Sequence, residues 1–270
     1  MGLTHMQIKE LLDEGRAHAC EGVGRDRVCV KIAAIAELPS RFGQFHIIAF
    51  YNNKDNKEHV AVVRGDVTNA ENVPVRVHSE CLTGDVIGSL RCDCRDQLES
   101  ALRMIGKMDK GILLYMRQEG RGIGLINKIR AYGLQEHGYD TVEANLALGF
   151  RDDERDYSVA AHMLDSLHIK SIQLITNNPK KIEDLAKNGI KVNGRIPHVM
   201  QPNQYNRFYL ETKVLKSGHL MDLHGKEHLQ EQDDIPVIEG MNGTQIDLIS
   251  KIYQTYSKSV PHVRKHSEEK

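Results

Sequence analysis

Three of the chain's five cysteines, Cys81, Cys92 and Cys94, fall within fourteen consecutive residues of the stretch ECLTGDVIGSLRCDCRDQL (80–98). Thiols this close constrain the fold, because the backbone after Cys81 must return to 92–94 before the three sulfurs can share one ligand. Cys92 and Cys94, at i and i+2, project together only where the chain is extended or turned, which places the pair at the start of a helix. Cys81 returns through a loop containing Thr83-Gly84-Asp85. Softness and spacing favour zinc over magnesium or calcium. Spacing leaves three readings open: buried thiols, a closed structural site with His78 as fourth ligand, or an open site with three thiolates and a water in the fourth position. Three thiolates donate much charge, so a water held there is less acidic than one among three histidines. His78, Glu80 and Asp93 are at hand to manage protons.

Composition narrows the class. The 270 residues suffice for one large domain or two modest ones. Hydrophobic residues at 40% and charged residues at 27% describe an ordinary globular protein. With 36 basic against 37 acidic residues, net charge gives no sign of a nucleic-acid or membrane partner. No apolar run approaches the roughly 18 residues of a membrane span. MGLTHMQIKELLDEG lacks the apolar core of a signal peptide, and Met6 stands where a myristoylation signal wants Ser or Thr. The odd cysteine count, with close pairs, argues against a secreted disulfide framework, so a cytoplasmic location is expected.

Along the chain, 7–20 reads as a short amphipathic helix and VCVKIAAIAE (28–37) as a strand. HIIAFY and HVAVVRG read as a hairpin around NNKDNKE, and PVRVH (74–78) as a strand leading into the cysteines. Leu98, Ala101, Leu102 and Ile105 mark a helix. GILLYM (111–116) is a buried-type strand, followed by the turn QEGRGIG and a helix to about His137. A helix over 154–168, the strand SIQLIT, the turn NNP, the helix KKIEDLAKNG and a short strand complete the pattern. The fold class expected is mixed α/β with some parallel pairing. The expected organisation is an N-terminal helical segment (1–27), a main domain (28–223), and a polar linker with a C-terminal extension (224–270). TQIDLISKIYQTYS in that extension is a possible helix, and the extension is expected to be dispensable for chemistry because every motif precedes it.

Two segments suit anions. RQEGRGIG (117–124) follows a strand and opens a helix, where backbone N–H groups and the helix dipole attract negative charge. Its glycine spacing departs from G-x-G-x-x-G, because position 125 is leucine. Arg117 and Arg121 flank the turn. TNNPKK (176–181) repeats the logic with an Asn cap, Pro at the first helical position and lysines. RDDERD (151–156) reads equally as a solvated helix start or as a proton acceptor beside a phosphate clamp. There is no G-x-x-x-x-G-K-[ST] P-loop.

In order, RVHSECLTGDVIGSLRCDC, GILLYMRQEGRGIGLINKIRAY, GYDTVEAN, DERD and TNNPKK closely resemble GTP cyclohydrolase II of riboflavin biosynthesis, from roughly Val28 to Leu223. The resemblance implies conversion of GTP to 2,5-diamino-6-ribosylamino-4(3H)-pyrimidinone 5′-phosphate, with release of formate and pyrophosphate. It implies a zinc enzyme, using Mg²⁺ with the nucleotide, that forms a homodimer. By matching position, Cys81, Cys92 and Cys94 are the zinc ligands, and the open position holds the water that opens the guanine imidazole ring. Arg76, Val77, His78, Ser79 and Glu80 match a GTP-contacting string, which argues against His78 as a ligand. Gln97, Glu119, Gly120, Arg121, Thr141, Thr176 and Lys181 match further GTP contacts. Asp153 matches the family's proton acceptor and Arg155 its nucleophile toward the α-phosphate. A guanidinium holds its proton, so transition-state stabilisation by Arg155 is a rival role. Tyr132 matches an aromatic residue near the base, able to orient water or the intermediate. Arg95-Asp96, where small and apolar residues are usual, should face solvent.

Overall fold

The computed structural model describes residues 2–17, 28–215, 218 and 220. Helix α1 (His5–Ala17) precedes strands β1 (Val30–Ser40), β2 (Gly43–Asn52), β3 (His59–Arg64) and β4 (Val73–Ser79). After the cysteine loop come α2 (Cys94–Gly106), β5 (Gly111–Met116), α3 (Gly124–Gln135), α4 (Thr141–Ala147) and α5 (Ser158–Asp165). Then follow β6 (Ile172–Ile175), α6 (Pro179–Lys187), β7 (Val192–Ile196) and α7 (Arg207–Leu215). The chain is a mixed α/β fold, as the alternation of strand and helix patterns predicts.

Among the described residues, seven strands form one sheet in the order β1-β2-β3-β5-β4-β6-β7. β1, β2, β3 and β5 pair antiparallel in sequence along the sheet. β1 and β2 need only the turn at Arg41-Phe42 between them, the short connection that antiparallel neighbours permit. β5, β4, β6 and β7 pair parallel. Parallel neighbours need long crossovers, and the one from β4 to β5 contains the whole cysteine segment and α2. The carboxyl ends of four strands therefore lie along one edge, where open α/β sheets bind ligands.

Period-two alternation sends the apolar side chains of β5 to both faces. Ile112, Leu114 and Met116 join Val75, Val77 and Leu174 under α5, with Leu3 and Leu11 from the N-terminal segment in the same core. Leu113 points the other way, onto Ala101 and Ile105 of α2 with Phe45 and Ile175. Both faces of the sheet are thus covered, which suits the near-continuous apolar reading of GILLYM.

Several elements depart from the sequence expectation. The helix expected over 154–168 starts only at Ser158, because Asp156 Oδ1 accepts the Ser158 N–H at 2.7 Å and Glu154 N–H donates to Arg121 O at 3.0 Å. These bonds hold RDDERD as a loop rather than a first helical turn. Helix α4 was not expected; Asp140 and Glu143 form its capping box, a signal lying within GYDTVEAN. Helix α7 was also unexpected. The C-terminal TQIDLISKIYQTYS lies outside the described residues.

Leu114 lies in the middle of the central strand and is fully buried. Leu114→Ala is expected to lower the unfolding free energy by about 2–5 kcal/mol, read from urea denaturation at unchanged slope.

Candidate active site

Each of the four parallel strands ends in a loop that contributes to one cleft. β4 leads into Ser79, Glu80 and Cys81; β5 into Glu119-Gly120-Arg121; β6 into Thr176-Asn177-Asn178; and β7 into His198.

At one end of the cleft the Cys81, Cys92 and Cys94 sulfurs lie within 4.8 Å of one another, with Cys81 and Cys92 3.6 Å apart. All three are free thiols. Cys94 is the first residue of α2, as the spacing of the pair predicts. Cys81 begins a single wide helical turn, Leu82–Val86, that brings the chain back toward Cys92. Gly84 sits in the hollow of this turn. A Cβ there would stand 2.8 Å from Cys92 Sγ and 3.0 Å from Cys81 Sγ, so a side chain would occupy the space between the sulfurs. The Cys81 sulfur accepts from Gly84 N–H at 3.4 Å and from the Lys128 ammonium at 3.0 Å. Hydrogen bonds from Cys92 and Cys94, and the Lys128 charge, hold the Cys81 thiol far below its ordinary pKa. The cluster is a soft-ligand site able to hold a metal ion.

Behind the sulfurs, Asp85 is a buried anchor. It accepts Cys81 N–H at 3.0 Å and the Tyr115 hydroxyl at 2.9 Å, and both of its oxygens lie 3.0 Å from His78 Nε2. His78 is thus committed to Asp85 rather than to the sulfur cluster, although its ring lines the cleft. Burial lowers its pKa, against the opposing pull of Asp85. Glu119 is a second strut: one oxygen accepts Leu82 N–H at 2.7 Å, and the other accepts Gly120 N–H and Lys128 Nζ, each at 2.8 Å. Burial opposes the charge on Lys128, but the Cys81 sulfur and Glu119 outweigh it and hold the ammonium above the ordinary lysine value. Tyr132 lies one helical turn beyond Lys128. Its hydroxyl is 3.2 Å from Thr83 Oγ1, and the Arg91 guanidinium packs 4.9 Å from its ring centroid. Burial pushes its pKa up to about 12, so Tyr132 keeps its phenolic proton at neutral pH.

The other end of the cleft is cationic. Arg155 Nε and Nη2 grip the Asp153 carboxylate at 2.8 and 2.6 Å. The Arg155 guanidinium and the Lys181 ammonium lie 5.8 and 5.7 Å from the centroid of the Tyr157 ring. Lys181 Nζ donates to Val77 O at 2.8 Å. Arg76 is buried across the wall, donating to Ile175 O at 2.9 Å and to Gln97, which in turn bonds Asp93. Desolvation brings its pKa down to about 10. Asn178 caps α6 through Lys180 N–H with Pro179 at the first helical position, the arrangement expected from TNNPKK.

The turn QEGRGIG holds Gly120 and Arg121 at φ 61° and 57°, and helix α3 starts beyond it at Gly124. Gly122 has φ +95°, and a Cβ on it would lie 2.9 Å from the Glu154 backbone carbon. Only glycine permits this turn to lie against RDDERD. Arg121 clasps the two loops further through Asp152 at 2.6 Å.

Of the expected GTP contacts, Arg76, His78, Ser79, Glu80, Gln97, Glu119, Gly120, Arg121, Thr141, Thr176 and Lys181 all line the cleft, as do Tyr132 and Arg155. Val77 points into the core and offers only its carbonyl, and Asp153 stands behind Arg155 rather than in the wall. Sequence reading missed Lys128, Asp85, Asn177 and His198. Lys128 could have been found at i−4 from Tyr132, on the same helix face. Asp85 stood in the quoted loop, but nothing in its spacing pointed toward His78. Arg95 and Asp96 face solvent, as expected.

The profile of the GTP cyclohydrolase II family matches residues 31–197. The chain belongs to the GTP cyclohydrolase II family. A GTP cyclohydrolase-2 of Picrophilus torridus is 58% identical over 185 residues, covering 68% of this chain and 96% of that protein. A GTP cyclohydrolase-2 of Histophilus somni is 51% identical over 200 residues, covering 74% of this chain and 93% of that one. A Bacillus cereus riboflavin biosynthesis protein RibBA is 56% identical over 186 residues, covering 69% of this chain. The chain spans about half of that relative, 47% of its length. No helix among the described residues is long and apolar enough to cross a membrane.

In this GTP cyclohydrolase II cleft the Asp153–Arg155 pair also sets a pH limit. Burial alone would raise the Asp153 carboxyl, but three hydrogen bonds from Arg155 and its charge outweigh it and hold the pKa below the usual carboxylate range. A depressed folded-state pKa contributes stability above the unfolded value of about 3.9, and that contribution is lost as pH falls toward the folded value. Wild-type protein is therefore expected to lose stability below about pH 4, and Asp153→Asn to flatten that dependence. At neutral pH the variant should be about 3–5 kcal/mol less stable, because it leaves Arg155 buried without its partner. Urea unfolding at pH 3, 4, 5 and 7 measures both.

Proposed function

We propose that the chain hydrolyses GTP, opening the guanine imidazole ring and releasing formate and pyrophosphate, with the ribosylaminopyrimidine 5′-phosphate as product. One observation carries this reading: a three-thiol cluster and the Arg155–Lys181 cations line one and the same cleft. Base and triphosphate of one substrate would occupy the two ends together.

We further propose zinc as the metal, held by Cys81, Cys92 and Cys94. Tetrahedral zinc with Zn–S near 2.3 Å sets sulfurs about 3.8 Å apart, and the 3.6 Å between Cys81 and Cys92 accords with this. The hollow over Gly84, which a Cβ would fill, and the all-sulfur donor set also suit it. Bound zinc would supply Lewis acidity toward a water at neutral pH. The chain's own residues do the rest. Lys128 offsets part of the negative charge of the thiolates, the feature that would otherwise make that water less acidic. Asp85 and Glu119 fix the backbone on which Cys81 sits. The Tyr132 phenol donates to oxygen near the base. Mg²⁺ would accompany the triphosphate.

Arg155 is read as a charge stabiliser at the α-phosphate rather than as the nucleophile. Burial opposes its charge, but Tyr157 and Asp153 outweigh this and hold its pKa above the ordinary arginine range. Attack at phosphorus needs a nitrogen lone pair that this pairing withholds. Cys92→Ser is expected to lose bound zinc and formate release together. Arg155→Lys should keep part of the pyrophosphate release, since a point charge still serves phosphate, while Arg155→Ala loses it. Metal analysis and separate formate and pyrophosphate assays read these outcomes. Full turnover of a zinc-free preparation would sink the zinc assignment.

The working form is proposed to be a cytoplasmic homodimer. Val86 and Ile87 at the end of the cysteine turn, and Ile126 and Ile129 on α3, are 46–70% exposed, large apolar side chains of the kind that a second copy would cover. Ile126→Asp is expected to halve the mass measured by sedimentation at micromolar concentration.

A further inference from the structure

His198 follows β7 and Pro197, in a loop held hard against the loop after β6. Its N–H donates to Asn177 Oδ1 at 3.0 Å, and Asn177 Nδ2 donates to its carbonyl at 2.6 Å. Arg195 fixes the same Asn177 oxygen from β7 at 3.1 Å. The backbone is therefore located by side-chain bonds on both of its polar groups. The ring is in the opposite condition. It is only 4% exposed, it lines the cleft, and neither Nδ1 nor Nε2 has a hydrogen-bond partner. Buried polar groups are normally satisfied, and leaving one without a partner destabilises a fold. A leucine of similar bulk would carry no such penalty.

The ring's surroundings define what it can meet. Burial, then the charge of Arg76, with His78 and Lys181 adding to it and Asp93 opposing, pushes its pKa down to about 3. The ring is neutral, with one N–H to give and one lone pair to accept. Arg76 and Lys181 make this wall positive, and Lys181 shares Tyr157 with Arg155. Both ring nitrogens are sealed from solvent in the free protein, so a small turn of the ring toward these cations would present its N–H to an anionic oxygen bound there.

We propose that His198 is a substrate-contacting residue whose ring N–H donates a hydrogen bond to a phosphate oxygen of the nucleotide. This rests on the GTP reading above and adds a residue that carries no charge and stands outside every motif quoted from the sequence. The orphaned ring nitrogens are then a cost to the free protein that the nucleotide removes. Functional sites are where such departures from local satisfaction are expected.

The test uses the zinc-loaded full chain and its His198→Leu and His198→Gln variants, titrated calorimetrically with a non-hydrolysable GTP analogue and with guanosine. His198→Leu is expected to bind the analogue about three- to tenfold more weakly, the loss of one hydrogen bond. Its melting temperature without ligand should equal or exceed that of wild type. His198→Gln, which keeps a donor, should recover part of the affinity, and guanosine should bind all three proteins alike. Equal affinity of the wild type and both variants for the analogue overturns the proposal, as does a weakening that is the same for guanosine. A lower melting temperature with unchanged affinity would make His198 a core residue and overturn it too. A wild-type protein that binds the analogue yet releases no formate from GTP contradicts the proposed reaction instead, and leaves the His198 comparison readable.

Discussion

Parallel pairing of β4 between β5 and β6 is the constraint on which the rest depends. Three parallel neighbours cannot be joined by hairpins, so every connection among them must cross the sheet and return. The consequence is geometric: the loops after β4, β5, β6 and β7 emerge at one edge. The cysteine segment, the glycine turn, the Asn-capped helix start and His198 are far apart in sequence and share one cleft for this reason alone. The antiparallel half, β1 to β3, contributes no cleft-lining residue. It covers the flank of β5 and completes the core beneath the site.

Within that frame, charge decides how the two ends differ. At the sulfur end, three thiols, Glu119 and Asp85 are set against one buried ammonium, Lys128. The surrounding N–H groups of Gly84, Cys81 and Leu82 all point at sulfur or carboxylate. At the other end Arg76, Arg155 and Lys181 stand against Asp153, which is held behind Arg155. Arg155 is paired with Asp153 and Lys128 with Glu119, as low dielectric requires of buried charges. The polarity of the cleft is thus a consequence of satisfying its own groups, and it matches a ligand with a neutral heterocycle at one end and phosphates at the other. Struts such as Glu119 and Asp85 have their oxygens occupied by the protein, which makes them positioning groups rather than free bases.

Much of this was legible in advance. The GILLYM strand, the Cys94 helix start, the Asn-Pro cap at 178–179 and the clustering of the three thiols follow from local rules that involve neighbours within a few residues. The helix expected from 154 failed because its acidic residues bond backbone N–H groups and the glycine turn 30 residues earlier, a contact that periodicity does not contain. Lys128 carried a weak signal through its spacing from Tyr132. His198 carried none, since a histidine after proline in a loop reads as surface until β7 is laid beside β6.

The sequence by itself determined the donor chemistry, the strand and helix identities of the central elements, and the family, because residue types and short spacings carry that information. The tertiary structure alone decided which side chains are free to act. His78 pairs with Asp85, Glu119 braces Leu82 and Lys128, and Asp153 holds Arg155. His198 was left buried with nothing to bond. These outcomes depend on contacts between segments tens of residues apart, and burial and partner geometry, not residue type, determine whether a polar atom is satisfied.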